Sequence, residues 1–324
     1  MLPLHTALGR PTLLAAILLA ACDEAPRALE RPNRILLDAQ GQLHVSDFHH
    51  QRVVVFDQDD QPAGIYGAQG LGPGGLWQVR ALASGPGPGI WLANQRIRSA
   101  DDEDTVWEVK NFVEGKEREA WVIPPVEDVE SQWVEAMIAM PGGDWLVVDS
   151  GHDGLIRYDE AWQIQEVWAA PTGLVAPSED TPPAPLPFLG VSSATLAGDQ
   201  LWVVEQRGHR VRLLDLQGRQ IMAFGHEGRQ PGELRFPQAI AVCPERWLMV
   251  ADLGNYRVQR FDLEGRFMDG FEPEPAVEGE AVQLLDLTLS ADCERTFLVD
   301  SKGSRVLVTT PTGEVLRSWD RWEE

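Results

Sequence analysis

The sequence predicts an all-β fold, a six-bladed β-propeller of four-stranded antiparallel blades, on two observations. First, an apolar strand that ends in a polar marker residue occurs six times, with markers at Asp47, Asn94, Asp149, Glu205, Asp252 and Asp300, so that successive markers are 47, 55, 56, 47 and 48 residues apart. Second, an arginine follows the marker by five residues in four repeats, at Arg52, Arg210, Arg257 and Arg305. A repeat of this length that is built from strands is typical of propeller blades.

The fifth repeat shows most clearly how one blade is encoded. Its alternating apolar runs at 239–242, 247–251, 257–262 and 266–271 predict four short strands. A turn from Asp262 to Gly265 separates the last two strands, and the fourth repeat has the same turn from Asp215 to Gly218. A single blade leaves both faces apolar, so six blades are expected to close into a ring that buries them.

The sequence of the fifth repeat, LMVADLGNYRVQRFD from Leu248 to Asp262, resembles a known repeat. It is similar to the NHL repeat of six-bladed β-propellers, whose consensus is approximately Leu-Tyr-Val-Ala-Asp-x-Gly-Asn-x-Arg-Val-x-x-Phe-Asp. The resemblance covers residues 33–319, strongly in repeats one, four and five and weakly in two and three. It implies the propeller fold, and it leaves the function open because this fold serves many functions.

The first 21 residues predict a signal peptide. The apolar stretch at 13–19 is too short to span a membrane, and small residues precede Cys22. The segment resembles a bacterial lipoprotein signal, which implies cleavage before Cys22 and lipidation of that residue in the cell envelope. A plain secretory leader is the alternative. Asp23 favours the periplasmic side of the inner membrane by analogy with enteric lipoproteins, with the outer membrane as the alternative.

The remaining chain is expected to form a tether over residues 22–32 and one propeller domain over residues 33–324. The blades are predicted at residues 33–76, 77–126, 133–171, 188–236, 237–280 and 283–319. Six prolines at 171–187 predict a stiff insertion between blades three and four.

Charge excludes one class of partner. The chain has 27 Lys and Arg residues against 50 Asp and Glu residues, a net charge of −23. Such a protein repels the phosphate backbone of nucleic acids, so no nucleic-acid partner is expected. We expect a monomer with no bound cofactor.

Two cysteines besides Cys22 lie at equivalent positions, Cys243 and Cys293, in the first hairpin turns of blades five and six. These turns share one rim of the ring, so a disulfide is chemically reasonable in an oxidising compartment. Two buried free thiols are the alternative.

The loops between the second and third strands share a face with the loops between blades, and this loop-lined face is the predicted site of function. Candidate ligand or partner residues there are His49, His50, Arg96, His152, Arg207, His209, Asn255 and Lys302. Four are histidines, so a channel-bound divalent metal is the alternative to structural or surface roles. Some lyases related to the NHL propellers hold such a metal in the channel, so the resemblance to that family allows this alternative.

Two further sets of residues follow from the repeat. Recurrence in four blades predicts structural clasps rather than catalytic pairs, namely Asp47 with Arg52, Glu205 with Arg210, Asp252 with Arg257 and Asp300 with Arg305. Polar residues at the start of each innermost strand predict the channel mouth, namely Asn33, Gln78, Glu135, Ser192 and Gln238, with Asp286 in blade six. They could bind a small ligand or line a water-filled channel.

The sequence favours a non-catalytic, lipid-anchored scaffold that binds a protein, peptide or glycan partner through the loop-lined face. It contains no Ser-His-Asp order and no phosphate-binding glycine loop. The alternative is a propeller enzyme, a metal-dependent lyase or a lactonase-like hydrolase, with its site at the same channel mouth.

Overall fold

The computed structural model confirms the predicted all-β fold. It describes residues 28–320 apart from 60, 71, 98–104, 125, 127–131, 170–172 and 175–186. Six four-stranded antiparallel blades follow one another along the chain, and within each blade neighbouring strands pair in chain order. No helix in the described part of the chain is long and apolar enough to cross a membrane.

Each blade is one uninterrupted piece of sequence. The strands of blades one to three are Pro32–Leu37, Leu43–Asp47, Arg52–Phe56 and Pro62–Tyr66; Gln78–Ser84, Ile90–Ile97, Thr105–Val113 and Lys116–Val122; and Val134–Ala139, Trp145–Asp149, Gly154–Tyr158 and Ile164–Trp168. Those of blades four to six are Val191–Ala197, Gln200–Glu205, Arg210–Leu214 and Arg219–Phe224; Pro237–Cys243, Trp247–Asp252, Arg257–Phe261 and Phe267–Phe271; and Leu284–Leu289, Thr296–Asp300, Arg305–Thr309 and Val315–Trp319.

Four short elements of the described chain lie outside this plan. Ala68–Gln69 and Gly75–Leu76 pair in parallel between blades one and two. Gly173–Leu174 pairs in parallel with the outer strand of blade four. A 3₁₀ turn, Leu253–Asn255, lies in the loop after the second strand of blade five.

The hairpin turn between the third and fourth strands forms as its sequence predicts. In blade five the Asp262 side chain accepts hydrogen bonds from the backbone N–H groups of Glu264 and Arg266. Gly265 has a φ of +78°. A Cβ atom at Gly265 would also lie 2.5 Å from the Phe224 ring of blade four, so glycine is required here both for the turn and for packing between blades.

The hydrophobic core is divided among the blade interfaces. In the described residues, six clusters of buried apolar side chains each join two neighbouring blades. The first strand of every blade contacts the first strands of both neighbours, so these six strands surround the central channel. The outer strands are the most exposed, and the burial therefore decreases from the channel to the rim.

Blades six and one close the ring. The N–H of Leu29 donates a 3.0 Å hydrogen bond to the carbonyl of Asp320. The rings of Phe56 and Trp319 stack with centroids 4.5 Å apart. Because the two blades come from opposite ends of the domain, this interface joins the ends of the propeller and leaves no blade face exposed.

A disulfide links blades five and six on the rim opposite the loop-lined face. The sulfur atoms of Cys243 and Cys293 are 2.20 Å apart, and the Cα atoms are 5.9 Å apart. Both residues are buried. Arg246 donates a hydrogen bond to the carbonyl of Asp292, which adds a second contact between the same two turns.

Several predicted features lie outside the described residues. These are the signal peptide, the lipidation residue Cys22, the tether up to residue 27, and most of the proline-rich insertion, of which the structure describes residues 173–174 and 187.

Candidate functional site

Each predicted clasp is an ion pair at the end of the second strand. The Nε atoms of Arg52, Arg257 and Arg305 lie 2.8, 2.9 and 3.0 Å from the carboxylates of Asp47, Asp252 and Asp300. Arg210 contacts Glu205 in the same way. The acids are fully or almost fully buried, and the arginines extend from them towards the preceding interblade segment.

The marker residues make a second contact, which the repeat pattern in the sequence did not reveal. In all six blades one side-chain oxygen of the marker accepts a hydrogen bond from a backbone N–H that lies 16 or 17 residues upstream, at 2.6–3.1 Å. These donors are Glu30, Trp77, Trp133, Leu189, Arg235 and Gln283. The marker therefore holds the segment that enters its own blade.

The clasp arginine holds the same segment through backbone carbonyls. Arg257 donates hydrogen bonds to the carbonyls of Arg229, Gln230 and Glu233 at 2.8–3.0 Å. Arg52 donates to the carbonyl of Ala28 at 3.0 Å, and Arg305 donates to that of Glu274. A clasp thus connects the end of one strand to the loop that arrives from the previous blade.

Blades two and three keep the marker without the arginine. In blade two the Asn94 amide donates to Glu108, which Arg96 and Lys110 neutralise. In blade three a Cβ atom at Gly154 would lie 2.6 Å from the Trp168 carbonyl, so a larger residue does not fit in the arginine position.

In blade three the marker Asp149 therefore lacks a cationic clasp partner. Among the described residues, Oδ2 of Asp149 has no hydrogen-bond partner, and burial raises the pKa of this carboxyl.

Of the candidate face residues in blades one to three, the histidines lie in the loops after the second strands. Arg96, predicted in such a loop, instead lies within the second strand of blade two, Ile90–Ile97. His49 is exposed and lies near Glu30, whereas Nδ1 of His50 is 2.8 Å from the clasp residue Asp47. Arg96 pairs with Glu108 at 2.6 Å. The backbone N–H of His152 donates to Asp149. The backbone N–H of His49 also donates a 3.1 Å hydrogen bond to the carbonyl of Glu30, so every one of these residues has a contact that supports the local structure.

The candidate residues of blades four to six also contact the protein. Arg207 pairs with Asp153 of blade three. Nδ1 of His209 accepts a hydrogen bond from the backbone N–H of Phe236, which enters blade five. Asn255 donates to the carbonyl of Gly228 and to Asp252. Lys302 lies 3.5 Å from Glu280.

The four histidines of this face are divided among blades one, three and four. In the described part of the chain, no group of three or more His, Cys, Asp or Glu side chains is arranged to hold a metal ion.

The central channel has two chambers. The mouth chamber, at the loop-lined face, has a volume of about 360 Å³ and is lined by polar side chains that include Asn33, Arg80 and Arg207. The inner chamber is about 670 Å³ and opens towards the first hairpin turns, with a lining of both polar and apolar groups. The boundary consists of the five residues that line both chambers, Arg34, Glu135, Ser192, Gln238 and Leu285.

An ion pair crosses the channel at this boundary. Arg34 of blade one donates a 2.6 Å hydrogen bond to Oε2 of Glu135 in blade three. Ser150 donates to the other oxygen of Glu135 at 2.9 Å. Arg80 lies 3.9 Å from that oxygen, and its guanidinium stacks on the Trp133 ring at 5.2 Å. Burial lowers the pKa of Arg80.

Asp286 is the buried carboxyl of the inner chamber. Its two oxygens accept hydrogen bonds from the backbone N–H groups of Ile35 and Leu287. Burial raises the pKa of Asp286 to about 6, although the positive charge of Arg34 acts in the opposite direction.

The channel-mouth prediction needs a correction in blades two and six. Every first strand has a β-bulge, and the residue in the bulge is Asn33, Arg80, Glu135, Ser192, Gln238 or Leu285. Arg80, rather than Gln78, is therefore the blade-two equivalent of Asn33. Asp286 lies one residue beyond the bulge and lines the inner chamber.

Sequence reasoning also missed an exposed apolar arc on the loop-lined face, formed by Trp133, Leu189, Phe236 and Tyr256. Their exposed fractions are 39%, 47%, 40% and 52%. The first three each lie one or two residues before the first strand of blades three, four and five, and Tyr256 follows the 3₁₀ turn of blade five. The arc could have been found in the sequence from the large apolar residues that recur at one position of the repeat.

Comparisons with known proteins support the fold. No family model matches the chain, and no curated protein matches it. Solved structures of similar fold include a streptogramin B lyase (10% identity, 93% of this chain and 86% of that chain, TM-score 0.58) and virginiamycin B lyase from Staphylococcus aureus (12%, 93% and 87%, TM-score 0.57). A functionally unknown protein from Desulfotomaculum acetoxidans DSM 771 is also similar (14%, 90% and 86%, TM-score 0.56). At these identities the likeness shows a six-bladed β-propeller.

Proposed function

We propose that this protein is a non-catalytic binding propeller of the bacterial cell envelope, of NHL-repeat type. It binds a protein, peptide or glycan partner through the loop-lined face. Lipidation at Cys22 anchors it, on the periplasmic side of the inner membrane, and residues 22–32 connect the anchor to the first blade.

The observation that carries this proposal is the apolar arc. Trp133, Leu189, Phe236 and Tyr256 are large apolar side chains exposed on consecutive blades of one face. Soluble monomers seldom expose such groups together unless they bind a partner. The residue before the first strand is polar in blades one and six, Arg31 and Gln283, and is the partly buried Trp77 in blade two, so the exposed arc lies on blades three to five.

Capture of partners from detergent-solubilised native membranes tests the role of the arc. The variant Leu189→Asp/Tyr256→Asp places two charges on it, and we expect the specific partner to be lost. The control Met268→Asp/Val315→Asp changes two equally exposed apolar residues of outer strands. If the arc variant retains its partner as well as the control does, the proposal is wrong.

The lipid anchor has its own test. Labelling of the native host with a fatty acid should mark the wild-type protein and not Cys22→Ser. Equal labelling of both proteins would contradict lipidation at this residue.

A second candidate is a propeller enzyme at the channel mouth, a metal-dependent lyase or a lactonase-like hydrolase. The carboxylates Glu135 and Asp286 inside the channel favour it, as does the fold shared with two lyases. Metal analysis separates the candidates. About one equivalent of zinc, calcium or iron per chain, lost in His152→Ala, would favour the enzyme.

A further inference from the structure

The mouth chamber contains an excess of positive groups within an acidic protein. Three guanidinium groups line it, those of Arg34, Arg80 and Arg207, together with one carboxylate, Glu135. The chain as a whole has a net charge of −23. The chamber is therefore a local site at which an anion meets cationic side chains.

Arg80 is the least compensated of these three cations. Glu135 is bonded to Arg34 at 2.6 Å and to Ser150 at 2.9 Å, and Arg80 is 3.9 Å from it. Arg207 has its own partner, Asp153, at the rim. Among the described residues, the buried Nε atom of Arg80 has no hydrogen-bond partner. An anion beside the exposed part of this guanidinium would be a closer counter-charge than Glu135, which lies 3.9 Å away.

Arg80 also connects the chamber to the apolar arc. Its guanidinium stacks on Trp133, whose ring is the first member of the arc and is 39% exposed. A ligand with its anionic group at Arg80 would therefore extend over Trp133 towards Leu189. The chamber holds a small group, since its volume is about 360 Å³.

The charge balance indicates which anion fits. Arg34 pairs with Glu135 and Arg207 pairs with Asp153, so Arg80 is the one cation left to balance an added anion, and it balances a single negative charge. A carboxylate carries a single charge and matches the planar guanidinium group. Asn33, Ser192 and Gln238 add amide and hydroxyl groups to the chamber lining.

We propose that the loop-lined face binds the C-terminal segment of a peptide or protein. The free terminal carboxylate enters the mouth chamber and pairs with Arg80, and the last apolar side chains pack on the apolar arc. This inference rests on the proposed function and specifies the partner for the same face.

A pool of N-acetylated octapeptides with Leu, Phe or Val at the last two positions tests the inference. The pool is made twice, as free acids and as C-terminal amides, and is passed over the immobilised mature protein. We expect the free acids to be recovered at least about tenfold more than the amides, as counted by mass spectrometry. Arg80→Gln should abolish this preference. The control Arg118→Gln removes an exposed arginine from the outer strand of the same blade and should retain it.

The outcomes separate this inference from the proposed function. Equal recovery of the two pools, no recovery of either, or a preference that survives Arg80→Gln overturns the inference. Arg80→Lys keeps the charge and is expected to keep part of the preference if the glutamine variant does not fold. If partner capture still depends on Leu189 and Tyr256 while the pools show no preference, only this inference fails. If capture is independent of the arc, the proposed function fails as well.

Discussion

At the scale of single residues, the marker acid has two contacts that together define a blade. Oδ1 of Asp252 accepts the N–H of Arg235, and Oδ2 binds the guanidinium of Arg257. The carboxylate is fully buried, so both contacts lie in a region of low dielectric constant. Removal of either partner leaves a buried charge without its full set of hydrogen bonds.

We therefore predict that Arg257→Ala lowers the free energy of unfolding by about 3 kcal/mol. Arg266→Ala is the matched control, because Arg266 pairs with Asp262 in the same blade but is 73% exposed. The control should cost far less, because solvent screens this exposed pair. Urea unfolding measures both values. Equal losses in the two variants would show that the clasp has no special structural role.

A pH dependence follows from Asp286. Its pKa in the folded protein is raised to about 6 by burial, above the value of 3.8 for a free side chain. Between these pH values the folded state binds more protons than the unfolded state, so the contribution of Asp286 to stability is lost as the pH rises through 6.

Asparagine does not titrate, so Asp286→Asn removes this pH dependence. The free energy of unfolding of the variant minus that of the wild type should therefore increase from pH 4 to pH 7. The expected increase is on the order of 2 kcal/mol. Urea unfolding at both pH values measures it. A difference between variant and wild type that stays constant over this range contradicts the prediction.

At the scale of strands and loops, the disulfide joins two blades that the core already packs together. Cys243 and Cys293 are separated by 50 residues, so the link closes a long loop in the unfolded chain. On the loop-entropy account, such a link stabilises a protein by about 2–4 kcal/mol.

We predict that a reducing agent lowers the melting temperature of the wild-type protein and has no effect on Cys243→Ala/Cys293→Ala. Mass mapping of nonreduced peptides should find the two cysteines joined. A wild-type melting temperature that does not respond to the reducing agent would contradict a stabilising disulfide.

The same scale shows what the sequence could predict. Blade five was predicted within one or two residues at most strand ends, because its strands alternate regularly and its turn contains Asp262 and Gly265. The weaker repeats two and three were recognised by their markers, Asn94 and Asp149. These markers are retained because each binds a backbone N–H, even though no arginine follows.

Other features depend on contacts that no local pattern contains. Gln78 was chosen for the channel mouth by position, but a β-bulge between Val79 and Ala81 gives that place to Arg80. The pairing of Arg34 with Glu135 joins residues 101 positions apart, and the position of Tyr256 beside the entry residues of the apolar arc depends on the loop of blade five.

At the scale of the whole molecule, closure of the ring produces the candidate site. Six first strands surround the channel, and the six marker residues hold six entry segments on one face. Three of these segments and the loop at Tyr256 expose the apolar arc beside a cationic mouth, whereas the protein as a whole is strongly acidic. This face therefore combines an exposed apolar arc with a local excess of positive charge.

Site-specific photo-crosslinking in the native host tests the central claim, that this face binds the partner. A photoreactive amino acid at Leu189 should form a covalent adduct with a specific protein or peptide. The same group at Met268, which is equally exposed on an outer strand, should not form that adduct. An adduct formed from position 268 and absent from position 189 would contradict the account.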